Sequence, residues 1–159
     1  MSTSAAHLIN RVIAVFEKIP YSLIAFLARF SIAAVFWKSG QTKVEGFAID
    51  LISGTLQLGE PKLAASTLPL FRSEYHLPLL SPEVAAHMAA FAEHFFPVLI
   101  LVGLATRFSA LALIGMTLTI QLFVYPDAYP THGTWIALLL LLVAKGPGRL
   151  SIDHLIARR

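Results

Sequence analysis

Residues 84–105 read VAAHMAAFAEHFFPVLILVGLA, an apolar run interrupted near its middle by Glu93, His94 and Pro97. A helix of that length covers about 33 Å at 1.5 Å per residue, enough to cross the ~30 Å hydrocarbon core of a bilayer. An ionisable side chain at that depth costs at least ~3 kcal/mol unless it is paired or wet. Glu93 therefore marks either an ion pair inside a bundle or a functional pocket. Three further windows have the same character, at residues 21–37, 108–125 and 128–144, although the tight apolar core of the last covers only 135–144. The 159 residues are 57% hydrophobic and 13% charged, against about a quarter charged in an ordinary soluble domain. Lipid has to cover the excess. The expectation is an all-α, membrane-embedded four-helix bundle, a single membrane domain over residues 1–159.

Ahead of the first window Leu8, Ile9, Val12, Ile13, Phe16 and Ile19 recur at helical spacing, with Asn10, Arg11, Glu17 and Lys18 between them. That pattern predicts an amphipathic helix on the membrane surface, stopped by Pro20 where the first span begins. Arg29 breaks the following apolar run, and no small-x-small site precedes Trp37 and Lys38, so the run reads as a retained span and not a cleaved signal. Four spans put Arg11, Lys18, Arg107, Lys145 and Arg149 on one side, while Lys38, Lys43, Lys62 and Arg72 on the other are diluted by five acidic residues. Both termini are therefore expected in the cytoplasm. The loop from Ser39 to Pro82 carries Phe47, Ile49, Leu56, Leu58, Leu68, Phe71 and Tyr75, too apolar for water, and Gly54, Gly59, Pro61, Pro69 and Pro78 divide it. It reads as an extracytoplasmic lid of short helical turns or a small hairpin.

Charge and chemistry exclude several functions. The net charge of +3 comes from scattered Lys and Arg that form no basic stripe, so no nucleic-acid partner is expected. Without cysteine the chain has no disulfide, thiolate metal site or redox pair. His87 and His94 share a helical face two turns apart and cannot clamp one metal ion together. The third span has no histidine to face them across a haem, so neither a metal site nor haem is expected. Counting down from Trp37 and from Val84 puts Arg29 and Glu93 at one depth, about 12 to 14 Å below the surface. They are expected to form an ion pair, either purely structural or part of a ligand-binding or proton-handling site. Pro97 cannot donate to the Glu93 carbonyl, which stays free beside the same charge. Gln121 should face the interior, within reach of His87, His132 or a ligand carbonyl. Trp37, Tyr125 and Trp135 fit an interfacial aromatic belt.

The tail Lys145-Gly-Pro-Gly-Arg-Leu-Ser-Ile-Asp-His154 has Gly146 to cap the last span, Pro147 to stop it, and Ser151 and Asp153 to cap a short helix. Together with Ala92-Glu93-His94, Gly103-Leu-Ala-Thr-Arg107, Gln121-Leu-Phe-Val-Tyr-Pro126 and the opening set Arg29, Phe36, Gly40 and Lys43, it resembles the DoxX-like family of small bacterial membrane proteins over residues 21–154. The resemblance implies a four-span bundle in the bacterial cytoplasmic (inner) membrane. Relatives include a subunit resembling the quinone-reducing component of archaeal thiosulfate oxidation, and others associated with oxidative-stress or thiol-redox complexes. Two readings follow. In the first the chain is a redox-linked, quinone-associated subunit of an oxidoreductase complex: His94, Glu93 or Gln121 bonds the quinone oxygens, Arg29 sets their charge, and a protein partner supplies electrons. The second is a non-catalytic scaffold, assembly or transport accessory for a neighbouring gene product. The candidate ligand-binding set is Arg29, His87, Glu93, His94, Gln121 and His132; enzymatic activity and oligomerisation stay open.

Overall fold

The computed structural model describes residues 2–50, 52–75 and 77–158, with side chains from residue 6 onward. Helix α1 (Ser2–Phe16) precedes α2 (Tyr21–Gln41), and a hairpin of β1 (Val44–Asp50) and β2 (Thr55–Leu63) follows. Next come a short α3 (Thr67–Ser73), α4 (Pro82–Val102), α5 (Thr106–Phe123), α6 (Tyr129–Lys145) and a terminal α7 (Ile152–Ala157). Helices α2, α4 and α5 are long and apolar enough to cross a membrane. Helix α6 has 17 residues, about 26 Å at helical rise. It packs on α2 and α5, while α4 packs on the same two helices, so the four close into a ring of contacts.

The buried stripes explain the packing. Helix α2 buries Ala25, Ala28, Arg29, Ile32, Ala33, Phe36 and Gly40, and α4 buries Ala85, Ala86, Ala90, Glu93, Pro97 and Ile100. Both sets follow the three-and-four spacing of one helical face, and their small residues let the two backbones approach closely. The outward faces are apolar too. Phe26, Leu27 and Phe30 on α2, Met88, Phe91, Phe95 and Val98 on α4, and Phe108, Leu111, Leu118 and Leu122 on α5 are all exposed. An exterior this apolar belongs in lipid and not in water. Leu8, Ile9, Val12, Ile13 and Phe16 of α1 are likewise exposed.

The expectation of an all-α chain is corrected by the hairpin. Val44 pairs with Leu63 and Asp50 with Thr55, and the register slips at Gly46. There the two strands touch backbone to backbone, since a Cβ on Gly46, whose φ is +83°, would lie 2.3 Å from the Glu60 carbonyl oxygen. Only glycine fits. At the tip the Asp50 carboxylate accepts from the backbone N–H of Ile52 at 2.8 Å and of Ser53 at 3.2 Å. Those two bonds hold the carboxyl below its ordinary range. Helix α3 completes the lid by burying Phe71 against Ala85 and Ala86 of α4. The lid is clamped to the far side of the ring by Tyr125, whose hydroxyl donates to Glu74 at 2.9 Å and whose ring lies edge-on to Tyr75 at 5.8 Å. Burial, seconded by the contact with Tyr125, pushes the Tyr75 phenol well above its ordinary pKa.

Candidate functional site

The sequence-based Arg29–Glu93 pair is corrected by the packing register of α2 on α4. Helix α2 continues past Trp37 to Gln41 and brings Gly40 against Glu93 and His94: a Cβ on Gly40 would meet His94 Cε1 at 2.8 Å and Glu93 Cβ at 3.0 Å. Arg29 lies eleven residues earlier, about 16 Å down the helix, where it meets Ile100 and Leu101 instead. The partner of Glu93 is Lys43. Its Nζ donates to Glu93 Oε2 at 2.7 Å and to Ser39 Oγ at 3.1 Å, with both charged side chains buried. Lys43 is held from behind, since its carbonyl accepts from the N–H of Ala64 and from the Thr67 hydroxyl, each at 2.9 Å. The residues flanking the hairpin thus fix the cation that neutralises the buried carboxylate.

Beside this pair His94 sits among Trp37, Phe47 and Gln41. The indole ring is 5.1 Å from the imidazole and the Phe47 ring 6.3 Å from it, both tilted edge-on. His94 Nδ1 contacts the Ala90 carbonyl at 2.7 Å and Nε2 contacts the Gln41 amide at 2.8 Å. Between the hairpin and α4 lies a groove of about 810 Å³, walled by Phe47, Leu58, Gly59 and Lys62 on one side and by His87, Phe91 and His94 on the other. Phe91 of this wall is exposed, with exposed Met88 and Phe95 one turn away on the same helix face, so the groove opens onto the apolar exterior. His87, itself exposed, has its Nδ1 2.8 Å from the Glu83 carbonyl.

The remaining predicted residues lie apart. Gln121 and His132 meet each other between α5 and α6, with His132 Nδ1 donating to Gln121 Oε1 at 2.7 Å and the Gln121 amide donating to the Pro126 carbonyl at 2.5 Å. His132 also packs on Trp135, which packs on Phe36.

Arg29 belongs to the opposite end of the ring, where the tail returns beneath the helices. One guanidinium nitrogen donates to the Leu101 carbonyl at 2.8 Å and the other to the Leu150 carbonyl. Gly103, at φ +72°, closes α4 and leaves room for the tail, because a Cβ there would stand 2.4 Å from Ser151 Cβ and 2.7 Å from Arg29 Nη1. Asp153 caps α5, its two carboxylate oxygens accepting from the N–H groups of Ala105 at 2.7 Å and Thr106 at 2.9 Å. The Tyr21 hydroxyl donates to the Gly146 carbonyl at 2.7 Å, and Ser22 Oγ accepts from the N–H of Arg149 at 3.1 Å. Ser151 caps α7, as its place in the sequence predicts, whereas Asp153 serves α5.

Lys43 and Gln41 are the site residues that sequence reasoning on charge depth misses. The available signal was Lys43 itself, only six residues beyond Trp37, close enough for a lysine to reach back down the helix.

A family model described as DoxX matches residues 24–126. The matched segment holds Arg29, Lys43, Glu93, His94 and Gln121, and ends before His132 and the tail. A protein of Haemophilus influenzae described as uncharacterized is 31% identical over an alignment of 88 residues that covers 50% of this chain. The match covers 58% of that relative's length. No solved structure matches.

Proposed function

Because this chain belongs to the DoxX family, we propose that it is a multi-pass protein of the bacterial inner membrane that serves as a quinone-associated subunit of an oxidoreductase complex. In this reading α2, α4, α5 and α6 all cross, the short α6 being accommodated by local thinning of the bilayer, and both termini face the cytoplasm. The observation that carries it is the groove between the hairpin and α4, which opens onto an apolar exterior and ends on an imidazole framed by aromatic rings. A lipid-soluble molecule with a planar head fits such a surface, with its tail left in the bilayer.

Of the expected residues His87 offers a free polar atom in the groove, and Lys62 joins it there. His94 and Gln121 have both polar ends engaged within the chain. His87 donates through Nδ1 to the Glu83 carbonyl, which leaves Nε2 as an acceptor for a quinol hydroxyl. Lys62, whose side chain is 70% exposed, offers a donor for a quinone carbonyl. Quinone supplies the two-electron acceptor when bound, and a partner protein brings the electrons. In nanodiscs the chain should retain a short-chain ubiquinone saturably. The double variant His87→Ala, Lys62→Ala should weaken retention roughly tenfold, the equivalent of ~1.4 kcal/mol, without changing the ligand-free melting temperature.

The same engaged side chains favour a second reading, a scaffold or assembly accessory whose polar interior serves architecture alone. Absence of saturable binding by any quinone, with a partner protein still co-purifying, decides for it.

A further inference from the structure

Hydrogen-bond directions fix the protonation of His94. The Ala90 carbonyl only accepts, so the Nδ1 atom 2.7 Å from it carries a proton. The backbone N–H of Ile49 only donates, so the Gln41 atom 2.8 Å from it is the carbonyl oxygen. The Gln41 amide nitrogen then faces His94 Nε2 at 2.8 Å and needs a lone pair there. Every donor meets an acceptor only while His94 is neutral. The Ile49 carbonyl is gripped as well, by the indole Nε1 of Trp37 at 2.9 Å. Strand β1 is thus held to α2 through both polar groups of one residue, and one of the two grips depends on the charge of an imidazole on α4.

We propose that a proton on His94 releases the hairpin and so gates the groove, opening it as the hairpin side of the membrane becomes acidic. The gate rests on the groove reading above for its purpose, though not for its mechanism. A second proton, on Nε2, sets donor against donor; rotating the Gln41 amide only moves the conflict to Ile49 N–H. The Glu93 carboxylate attracts a charged ring, and the Lys43 cation seated on that carboxylate opposes the attraction. Glu93 on the same helix is neutralised by Lys43 from the end of α2, Lys62 of β2 and His87 of α4 line the same groove, and α2 and β1 otherwise present Gln41, Trp37 and Phe47. Proton binding therefore favours the state in which the hairpin has left and water reaches the ring. The sign follows from the hydrogen bonds: the docked hairpin is favoured at high pH and released as pH falls. The hairpin base stays anchored, because the Lys43 carbonyl is tied to Ala64 and Thr67; the parts of β1 and β2 beyond it swing.

Hydrogen exchange of the ligand-free chain in nanodiscs tests the gate. After correction for intrinsic exchange rates, protection of β1 around Ile49 should fall about tenfold between about pH 8 and about pH 5, while α5 keeps its protection. His94→Gln retains an acceptor for Gln41 and cannot charge, so its hairpin should stay protected at both pH values. Gln41→Glu should invert the response, because a carboxylate accepts from both Ile49 and a protonated His94. An unchanged wild-type hairpin, or the same loss of protection in His94→Gln, overturns the proposal; if that variant does not fold, the absence of inversion in Gln41→Glu overturns it instead. Retention of a short-chain ubiquinone, measured in parallel, separates the two readings: a hairpin that responds to pH in a chain that binds no quinone leaves the gate standing and removes the quinone.

Discussion

The two ends of the helical ring use charge in opposite ways. At the tail end Arg29 donates to main-chain carbonyls of α4 and of the returning tail, and Asp153 accepts from main-chain N–H groups of α5. Both satisfy backbone that helix termini leave open, and both join segments distant in sequence. At the hairpin end the charges of Lys43 and Glu93 meet each other, next to a histidine and an open groove. Charge spent on backbone builds a joint; charge paired beside a cavity builds a site. Substitutions at the first end should therefore act on folding alone, and those at the second also on ligand binding and on the position of the hairpin.

The largest effect is expected at Gly103. Gly103→Val forces a β-branched residue into a left-handed conformation and a Cβ into Ser151 and Arg29, for a loss of about 3 kcal/mol or more. Yield of folded protein and detergent melting should both collapse, and wild-type melting would mean that the tail does not seat against α4. Next come the charged pairs. Glu93→Leu or Lys43→Met alone leaves one buried charge and should cost about 3 to 5 kcal/mol, the double variant markedly less. Arg29→Leu combined with Glu93→Leu should instead be additive within about 0.5 kcal/mol. Coupling between Arg29 and Glu93 would erase the division between the two ends.

Asp153→Ala removes the cap of α5 and should cost about 1 kcal/mol in detergent melting, with quinone retention unaltered. The smallest effect belongs to the lid clamp. Tyr125→Phe loses one hydrogen bond to Glu74, about 0.5 to 1.5 kcal/mol, and should raise exchange in α3 without lowering the melting of the helices. The phenol of Tyr75, raised by burial, gives the same clamp a pH signature. Its contribution is fully present below the ordinary tyrosine value of about 10 and is lost only as the pH climbs through the higher folded value. Phenolate absorbance should lose its latest-ionising tyrosine in Tyr75→Phe, and that tyrosine should ionise earlier in Tyr125→Phe than in the wild type.

Most of the helices were legible in the sequence because lipid imposes a simple rule on length and polarity, and the expected spans match the observed helices to within about four residues. The depth of Glu93 was not legible. It depends on how far α2 runs beyond Trp37, and Lys38, Ser39 and Gln41 look like a membrane exit although they continue the helix. In the register that results, Arg29 meets Leu101 and not Glu93, eight residues along α4, about 12 Å. The hairpin was anticipated only as one of two forms of the lid, since its pairing turns on the crossing of Gly46 with Glu60, a contact between backbones that leaves no side-chain pattern. In the tail the glycines and caps were readable, but Asp153 caps a helix that begins 47 residues earlier, and no local rule reports that.

Arg29 also carries a consequence for how the protein is made. Its two strongest acceptors are carbonyls that follow it by 72 and 121 residues in the chain, so when α2 leaves the ribosome neither exists. The first span must wait, its guanidinium shielded by water, phospholipid or the insertion machinery, until α4 and finally the tail have been synthesised. Translation order thus sets assembly order: a chain stopped before Leu150 holds the guanidinium of α2 by the α4 carbonyls alone, without its partner in the tail.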